Sequence, residues 1–454
     1  MDYPRLIHFT PRPDSKGRIK RTLDAWYASR LAVIVESVII GLAAGFVIAG
    51  FRFALRQADS FRPRLYDALK TFPAYWTVLW AFALAALGAA LGLAARRFPM
   101  IKGSGIPQIK GSLTGRMALA WAPELPLKLI TGIAGLGAGL SLGREGPSIQ
   151  IAAYVGIGIL TLFRRPRAER KVLVSAAAAA GLSAAFNAPL AGVLFALEEM
   201  RLRFSPLSLA CAMGSSISAA AAASFFFGQA PVFDFRYVAP LPLRHIPWII
   251  LLGILCALLG DVFKRSLYLS QDFYQKLRIH QIIRPILPLL LSIPLGLYLY
   301  DSTGGGHTVI ESLSIENRTL QTLMTLFVGK LLFTAVSYGS GASGGIFLPL
   351  LTCGALLGDL SGDLLYKSGF IADGQNLNYM ILGMAAFFSA VVKAPVTGVA
   401  LILEMSGNFN HLGSLVLASL AAFVTSELIA SPPVYAALLE RMLAGLRKSG
   451  NAAG

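Results

Sequence analysis

Apolar residues along this chain gather into long runs instead of alternating with polar ones. Runs recur near residues 31–55, 74–95, 125–163, 172–197, 207–228, 248–262, 282–300, 321–358, 379–406 and 412–430. Ala, Leu and Gly dominate them, and none shows the period of two that marks a barrel strand. The pattern predicts apolar helices of membrane-crossing length, and hence an all-α polytopic membrane protein. Several runs are too long for a single crossing or are interrupted by Gly and Pro. Between Val172 and Leu197 the break is Asn187-Ala188-Pro189, which predicts two short helices that enter and return. Broken helices are tolerated at membrane depth only where protein or water covers the freed backbone groups.

The chain also repeats itself. "PLKLITGIAGLGAGLSLGREGPSI" begins at Pro126 and "FVGKLLFTAVSYGSGASGGIFLPLL" at Phe327. Aligning Lys128 with Lys330 also pairs Leu129 with Leu331, Gly139 with Gly341, Ser141 with Ser343, Gly143 with Gly345 and Pro147 with Pro349. A second echo joins "NAPLAGVLFALEEM" to "KAPVTGVALILEMS", with Pro189 opposite Pro395, Gly192 opposite Gly398 and Glu198 opposite Glu404. Repeats with Gly/Pro-broken apolar segments in matching positions point to a transporter or channel whose site lies where the repeats meet. The expected organisation is a cytoplasmic segment 1–30, transmembrane halves 31–228 and 229–440, and a short cytoplasmic tail 441–454.

Composition agrees and narrows the choice. The 454 residues are 55% hydrophobic and 14% charged, far too apolar for a soluble enzyme. The net charge of +17 resides in loops between the runs, as in "RRPRAERK" (Arg164 to Lys171) and "RLR" (Arg201 to Arg203). These read as cytoplasmic loops against a lipid bilayer, not as a nucleic-acid surface. The first run begins near Leu31, behind Lys16, Arg18, Lys20 and Arg21, so no cleavable signal peptide is expected. The expected location is the inner (plasma) membrane, multi-pass, with both termini cytoplasmic. Cys211, Cys256 and Cys353 lie in apolar runs without CxxC spacing, and the five histidines are scattered, so neither a metal site nor a cofactor is expected.

From Leu129 to Phe163 the only charged residues are Arg144 and Glu145. An acid inside such a run needs a reason. Three segments combine Gly or Ser with a Pro that can open a helix: "GSGIPQ" (Gly103 to Gln108), "GREGPS" (Gly143 to Ser148) and "GGIFLP" (Gly344 to Pro349). A helix N-terminus within the membrane offers free N–H groups and a positive dipole end, so several together suit a small anion. Taken singly, each segment reads more readily as a close helix contact made by small residues; three together, two of them repeat-related, favour the anion site.

"GSGIP", "GREGP", "GGIFLP" and the late tyrosine of "PPVYAALL" together resemble the CLC family of chloride channels and chloride/proton antiporters, over roughly residues 30 to 440. The resemblance implies two inverted halves per subunit, a homodimer, and one ion pathway per subunit. It implies that the hydroxyls of Ser104 and Tyr435 and the backbone amides of Ile346 and Phe347 bind chloride. It places Arg144, Glu145 and Gly146 on the outer pathway, with Glu145 as gate and proton acceptor, and gives Glu199 the internal proton transfer of the antiporters. Each residue has a plainer reading: a helix cap for Ser104, an interfacial belt for Tyr435, a structural ion pair for Arg144 and Glu145, a solvated helix end for Glu199. Two positions depart from the family pattern or bound it. Gln108 stands where the motif often has Glu, and the sequence runs only a short way past Tyr435, so the paired regulatory domains of many eukaryotic members are not expected. Ser104 suits chloride, since nitrate-adapted members commonly carry Pro there, and fluoride-preferring relatives depart from "GREGP" and "GIFLP".

The expected function is exchange of chloride for protons. A carboxylate is itself an anion, so ionised Glu145 competes with chloride for the same donors. Desolvation favours its neutral form, which leaves the donors to chloride. Two rivals stand beside this reading. A passive chloride channel of the same family fits less well, because channel members commonly lack an acid at Glu199. An intramembrane serine protease built on Ser343 and His411 leaves "GREGP" unexplained, and Ser343 has a repeat partner, Ser141, with no histidine counterpart. Glu198 shares its repeat position with Glu404, which predicts a structural contact in both halves; Glu199 faces Met405 and has no such partner.

Overall fold

The computed structural model describes residues 15–163, 167–200, 202, 204–277, 279–316, 318–372 and 374–451. Arg201, Arg203 and the start of the basic 164–171 loop lie outside the described residues, as do residues 1–14. The first half comprises α1 (Ser15–Thr71), α2 (Ala74–Arg97), α3 (Ile106–Leu113), α4 (Trp121–Gly137), α5 (Glu145–Leu162), α6 (Arg167–Phe186), α7 (Pro189–Glu198) and α8 (Pro206–Phe227). The second comprises α9 (Ile246–Lys276), α10 (Ile286–Tyr298), α11 (His307–Leu313), α12 (Leu320–Gly339), α13 (Phe347–Lys367), α14 (Asn376–Val392), α15 (Pro395–Ser406) and α16 (Leu412–Leu428). Helix α17 (Val434–Asn451) follows and has no counterpart in the first half. Among the described residues the fold is all-α, with only two isolated β-bridges, and α1, α2, α8, α9, α12, α13 and α16 are long and apolar enough to cross a membrane.

The long apolar runs break where glycine and proline stand. Run 125–163 becomes α4 and α5, and run 321–358 becomes α12 and α13. Runs 172–197 and 379–406 break at Asn187 and Lys393, residues in matched repeat positions that both adopt left-handed backbone (φ 56° and 62°) one residue ahead of Ala-Pro. Two elements differ from the sequence expectation. Helix α1 continues to Thr71, well past residue 55, because the Arg and Asp residues that end the apolar run do not end the helix. Helix α11 was not anticipated, since "HTVIESL" is short and carries no apolar run.

The halves are related by a two-fold axis. Helix α1 packs on α8, with α6 against both; α9, α16 and α14 repeat that arrangement. At the centre, α7 and α15 lie side by side. The Glu198 carboxylate, at the end of α7, accepts from the Val396 and Thr397 N–H groups at 3.3 and 2.8 Å and from the Thr397 hydroxyl at 2.7 Å. Glu404, at the end of α15, accepts from the Leu190 and Ala191 N–H groups at 2.9 and 2.7 Å. Each acid therefore caps the N-terminus of the other's helix, through matched residues. Helices that cap one another end to start are antiparallel. A two-fold that exchanges them must run perpendicular to them. Glycines 143 and 345, also repeat partners, exchange N–H···O bonds of 2.6 and 2.7 Å on the same axis.

Candidate functional site

Three helix N-termini meet beside this axis. The segment leading to α3 pairs with the one leading to α13, with Gly103 N–H bonded to the Ala342 carbonyl and Gly344 N–H to the Gly103 carbonyl, both at 3.1 Å. The lead into α5 pairs with the same segment through Gly143 and Gly345. Helices α5 and α3 touch directly: a Cβ on Gly146 would lie 2.7 Å from the Ser104 carbonyl and 2.8 Å from its Cβ. That contact accounts for the glycine after Glu145. Gly105 caps α3 with φ +89°, a backbone that L residues rarely adopt, and the Gln150 side chain fills the space its Cβ would need.

The carbonyls of this turn are drawn away from the meeting point. Lys128 is fully buried on α4 and donates to the Ile101 and Gly103 carbonyls at 2.8 and 2.7 Å. Gln108 donates to Lys102 at 2.6 Å and Gln150 to Met100 at 2.8 Å. With its carbonyls so engaged, the turn presents N–H groups and the Ser104 hydroxyl, which accepts from Ile106 N–H at 3.2 Å and lies beside the Tyr338 hydroxyl. In the second half Lys330 repeats the arrangement, donating to Gly304 at 2.6 Å ahead of α11.

Each residue singled out from the sequence has a defined place around this point. Ser104 precedes α3; Ile346 and Phe347 form the cap and first residue of α13, both fully buried. Tyr435 opens α17, is fully buried, and its hydroxyl has no hydrogen-bond partner in the protein, which rules out a place in an interfacial belt. Glu145 is the first residue of α5, with no exposed surface. The N–H groups of Glu145 itself and of Leu348 on α13 face its carboxylate without closing full hydrogen bonds, and Arg144 Nε stands 3.9 Å away. The arginine is thus a loose neighbour and not a tight structural pair. Its side chain lines a cavity of about 410 Å³ on the α11 side, together with Arg52, Arg56, Asn187, His307 and Glu311. Glu199 caps the C-terminus of α7, turned away from Glu198, toward the side from which α3 approaches.

Sequence reading missed two cations. Lys110, near the end of α3, bonds to Glu199 Oε1 at 2.6 Å, with both side chains largely buried. The second is Lys128: a lysine inside an apolar helix, matched by Lys330, is the signal in the sequence for its buried task. Ser343 and His411 form no dyad. The Ser343 hydroxyl and both His411 ring nitrogens lack hydrogen-bond partners. Ser343 faces Gly132, the repeat counterpart of Thr334, whose hydroxyl binds Ser141 at 2.8 Å.

Residues 87–427 match the family model described as voltage gated chloride channel. The chain is 34% identical to a protein of Salmonella arizonae named H(+)/Cl(-) exchange transporter ClcA, over 94% of this chain and 92% of that one. The Citrobacter koseri protein of the same name gives the same identity and coverage. Among solved structures, a slow cyanobacterial Cl-/H+ antiporter superposes with a TM-score of 0.85 at 32% identity, covering 91% of this chain and 98% of that one. A CLC-type fluoride/proton antiporter shares the fold with a TM-score of 0.73 at 20% identity, over 87% of this chain and 95% of that one.

Proposed function

The chain belongs to the voltage-gated chloride channel family, and from that premise we propose that it exchanges chloride for protons across a membrane, with Glu145 as gate and proton acceptor. The observation that carries the proposal is the position of the Glu145 carboxylate. It is fully buried, faces the N–H groups that open α5 and α13, and has no hydrogen-bond partner in the protein that satisfies it. Helix N-termini of this kind hold anions. An ionised Glu145 therefore occupies donors that chloride would use, and a protonated one releases them. One side chain then ties chloride entry to proton uptake.

Ser104, Tyr435 and the amides of Ile346 and Phe347 form the central chloride ligands. Arg144 and Gly146 border the outer approach, where the arginine-lined cavity draws anions by its charge. Glu199 passes protons between the α3 side and Glu145. The α3 side is the cytoplasmic one: the end of α5, which leads into the basic 164–171 loop, packs at Gly158 against Trp121 at the start of α4, just after α3. The relatives named as exchangers support proton coupling over a passive channel, as does an acid at position 199. The protein acts as a homodimer in the inner (plasma) membrane, with halves 31–228 and 229–440 and both termini cytoplasmic. Purified protein in proteoliposomes tests the function: with chloride and pH recorded together, a chloride gradient should drive protons uphill. A reversal potential that ignores the proton gradient would establish the channel instead.

A further inference from the structure

Helix α3 touches both ion routes. Its N-terminal lead carries Ser104, and near its other end the Lys110 ammonium meets the Glu199 carboxylate at 2.6 Å. Lys110 stands six positions after Ser104, about 6 Å of helical rise from the first residue of α3. The two side chains are 12% and 6% exposed, so the pair is held in a poorly solvated setting where charge attraction is strong. Helix α3 cannot shift freely at its start, because Gly103 is bonded to Ala342 and Gly344 and its carbonyl to Lys128. Tyr435, on α17, stands within electrostatic reach of Glu199, and α17 packs on α3. The ammonium holds the carboxylate at the end of α7 toward α3.

We propose that Lys110 is the positioning residue for internal proton transfer, holding Glu199 in the geometry from which protons pass toward Glu145. This rests on the assignment of Glu199 to proton transfer. Lys110 acts only through the carboxylate it holds.

The test compares Lys110→Met, Lys110→Arg, Glu199→Gln and the double variant Lys110→Met/Glu199→Gln in proteoliposomes, reading chloride turnover, proton turnover and the reversal potential. Lys110→Met should lower proton turnover by about 10- to 100-fold, the scale of a misplaced transfer group, and move the reversal potential toward that of chloride alone. Chloride turnover should stay within about threefold. Lys110→Arg should restore most of the coupling. The double variant should match Glu199→Gln, because a residue that acts through a partner adds nothing once the partner is gone. Lys110→Gln, which keeps a donor but no charge, serves the same comparison should the methionine variant misfold. Wild-type coupling in Lys110→Met, alongside uncoupled Glu199→Gln, overturns the role of Lys110 alone. A further loss in the double variant also overturns it. Wild-type coupling in Glu199→Gln removes the premise itself, a result distinct from the other two.

Discussion

Glu198 supplies the most quantitative prediction. Truncating it to Ala removes acceptors from the N–H groups of Val396 and Thr397, the first two that α15 offers after Pro395, and from the Thr397 hydroxyl. Those N–H groups have no partner within their own helix. A hydrogen bond to a charged group contributes about 1.5–3 kcal/mol. The bonds at 2.8 and 2.7 Å count in full and the one at 3.3 Å for little, which gives about 3–6 kcal/mol before exposure is allowed for. Glu198 is half-buried, so the lower end applies. The purified variant should lose on the order of 5 °C in thermal unfolding in detergent. Glu198→Gln, which keeps one acceptor oxygen, should lose less. Glu404→Ala should resemble Glu198→Ala, because it removes two bonds of similar length from the matched helix. The surviving folded protein should exchange chloride and protons at the wild-type ratio. A Glu198→Ala protein with unchanged thermal stability, or with normal stability and lost coupling, would refute the structural assignment.

Three further outcomes follow from the site. Glu145→Gln should keep chloride flux and lose proton transport, since an amide neither competes as an anion nor carries the proton; uphill proton pumping by this variant would remove Glu145 from the gate. Tyr435→Phe deletes a hydroxyl otherwise free to donate to an anion, so calorimetry should show chloride affinity reduced by about 10- to 150-fold, the equivalent of about 1.5–3 kcal/mol; unchanged affinity places the hydroxyl off the anion. Gly146→Ala drives a methyl group into Ser104 and should reduce both fluxes together by displacing α3 from α5; normal transport by a stable Gly146→Ala protein would show that the two helix starts separate without consequence.

Much of this arrangement was legible because it rests on residue types with strong local rules. Gly-Pro segments inside apolar runs mark helix starts, and the repeat told which acid would be shared. Glu198 and Glu404 cap each other's helices as that pairing suggested. What stayed hidden depends on distance in sequence. The bond from Lys110 to Glu199 links α3 to the end of α7, and no periodicity brings them together. The role of Lys128 depends on a turn 25 residues earlier in the chain. Helix α11 was invisible because its burial is set by neighbours and not by its own apolar content. The length of α1 was misjudged because buried arginines look like loop residues: Arg62 interrupts the hydrophobic pattern, yet its side chain is buried and donates to the Leu136 carbonyl at 3.3 Å.

The two-fold frame also explains where the chemistry has to be. Residues shared by the halves build the frame: Lys128 and Lys330 draw carbonyls out of matched turns, Gly143 and Gly345 pair across the axis, and Glu198 and Glu404 cap exchanged helices. A perfectly symmetric frame would offer both sides of the membrane the same groups. It could bind an anion, but it could not distinguish the side that supplies chloride from the side that supplies protons. The candidate transport residues are those that break the match. Glu145 stands opposite Phe347, whose ring packs against Phe186 and Phe388 at 5.4 and 4.8 Å between centroids. Ser104 and Gly305 each stand two residues ahead of the matched helices α3 and α11, Glu199 stands opposite Met405, and Tyr435 lies on α17, which has no counterpart among the described residues of the first half. Direction therefore resides in the substitutions and stability in the repeats, so neutralising a shared acid should cost folding and neutralising an unshared one should cost coupling.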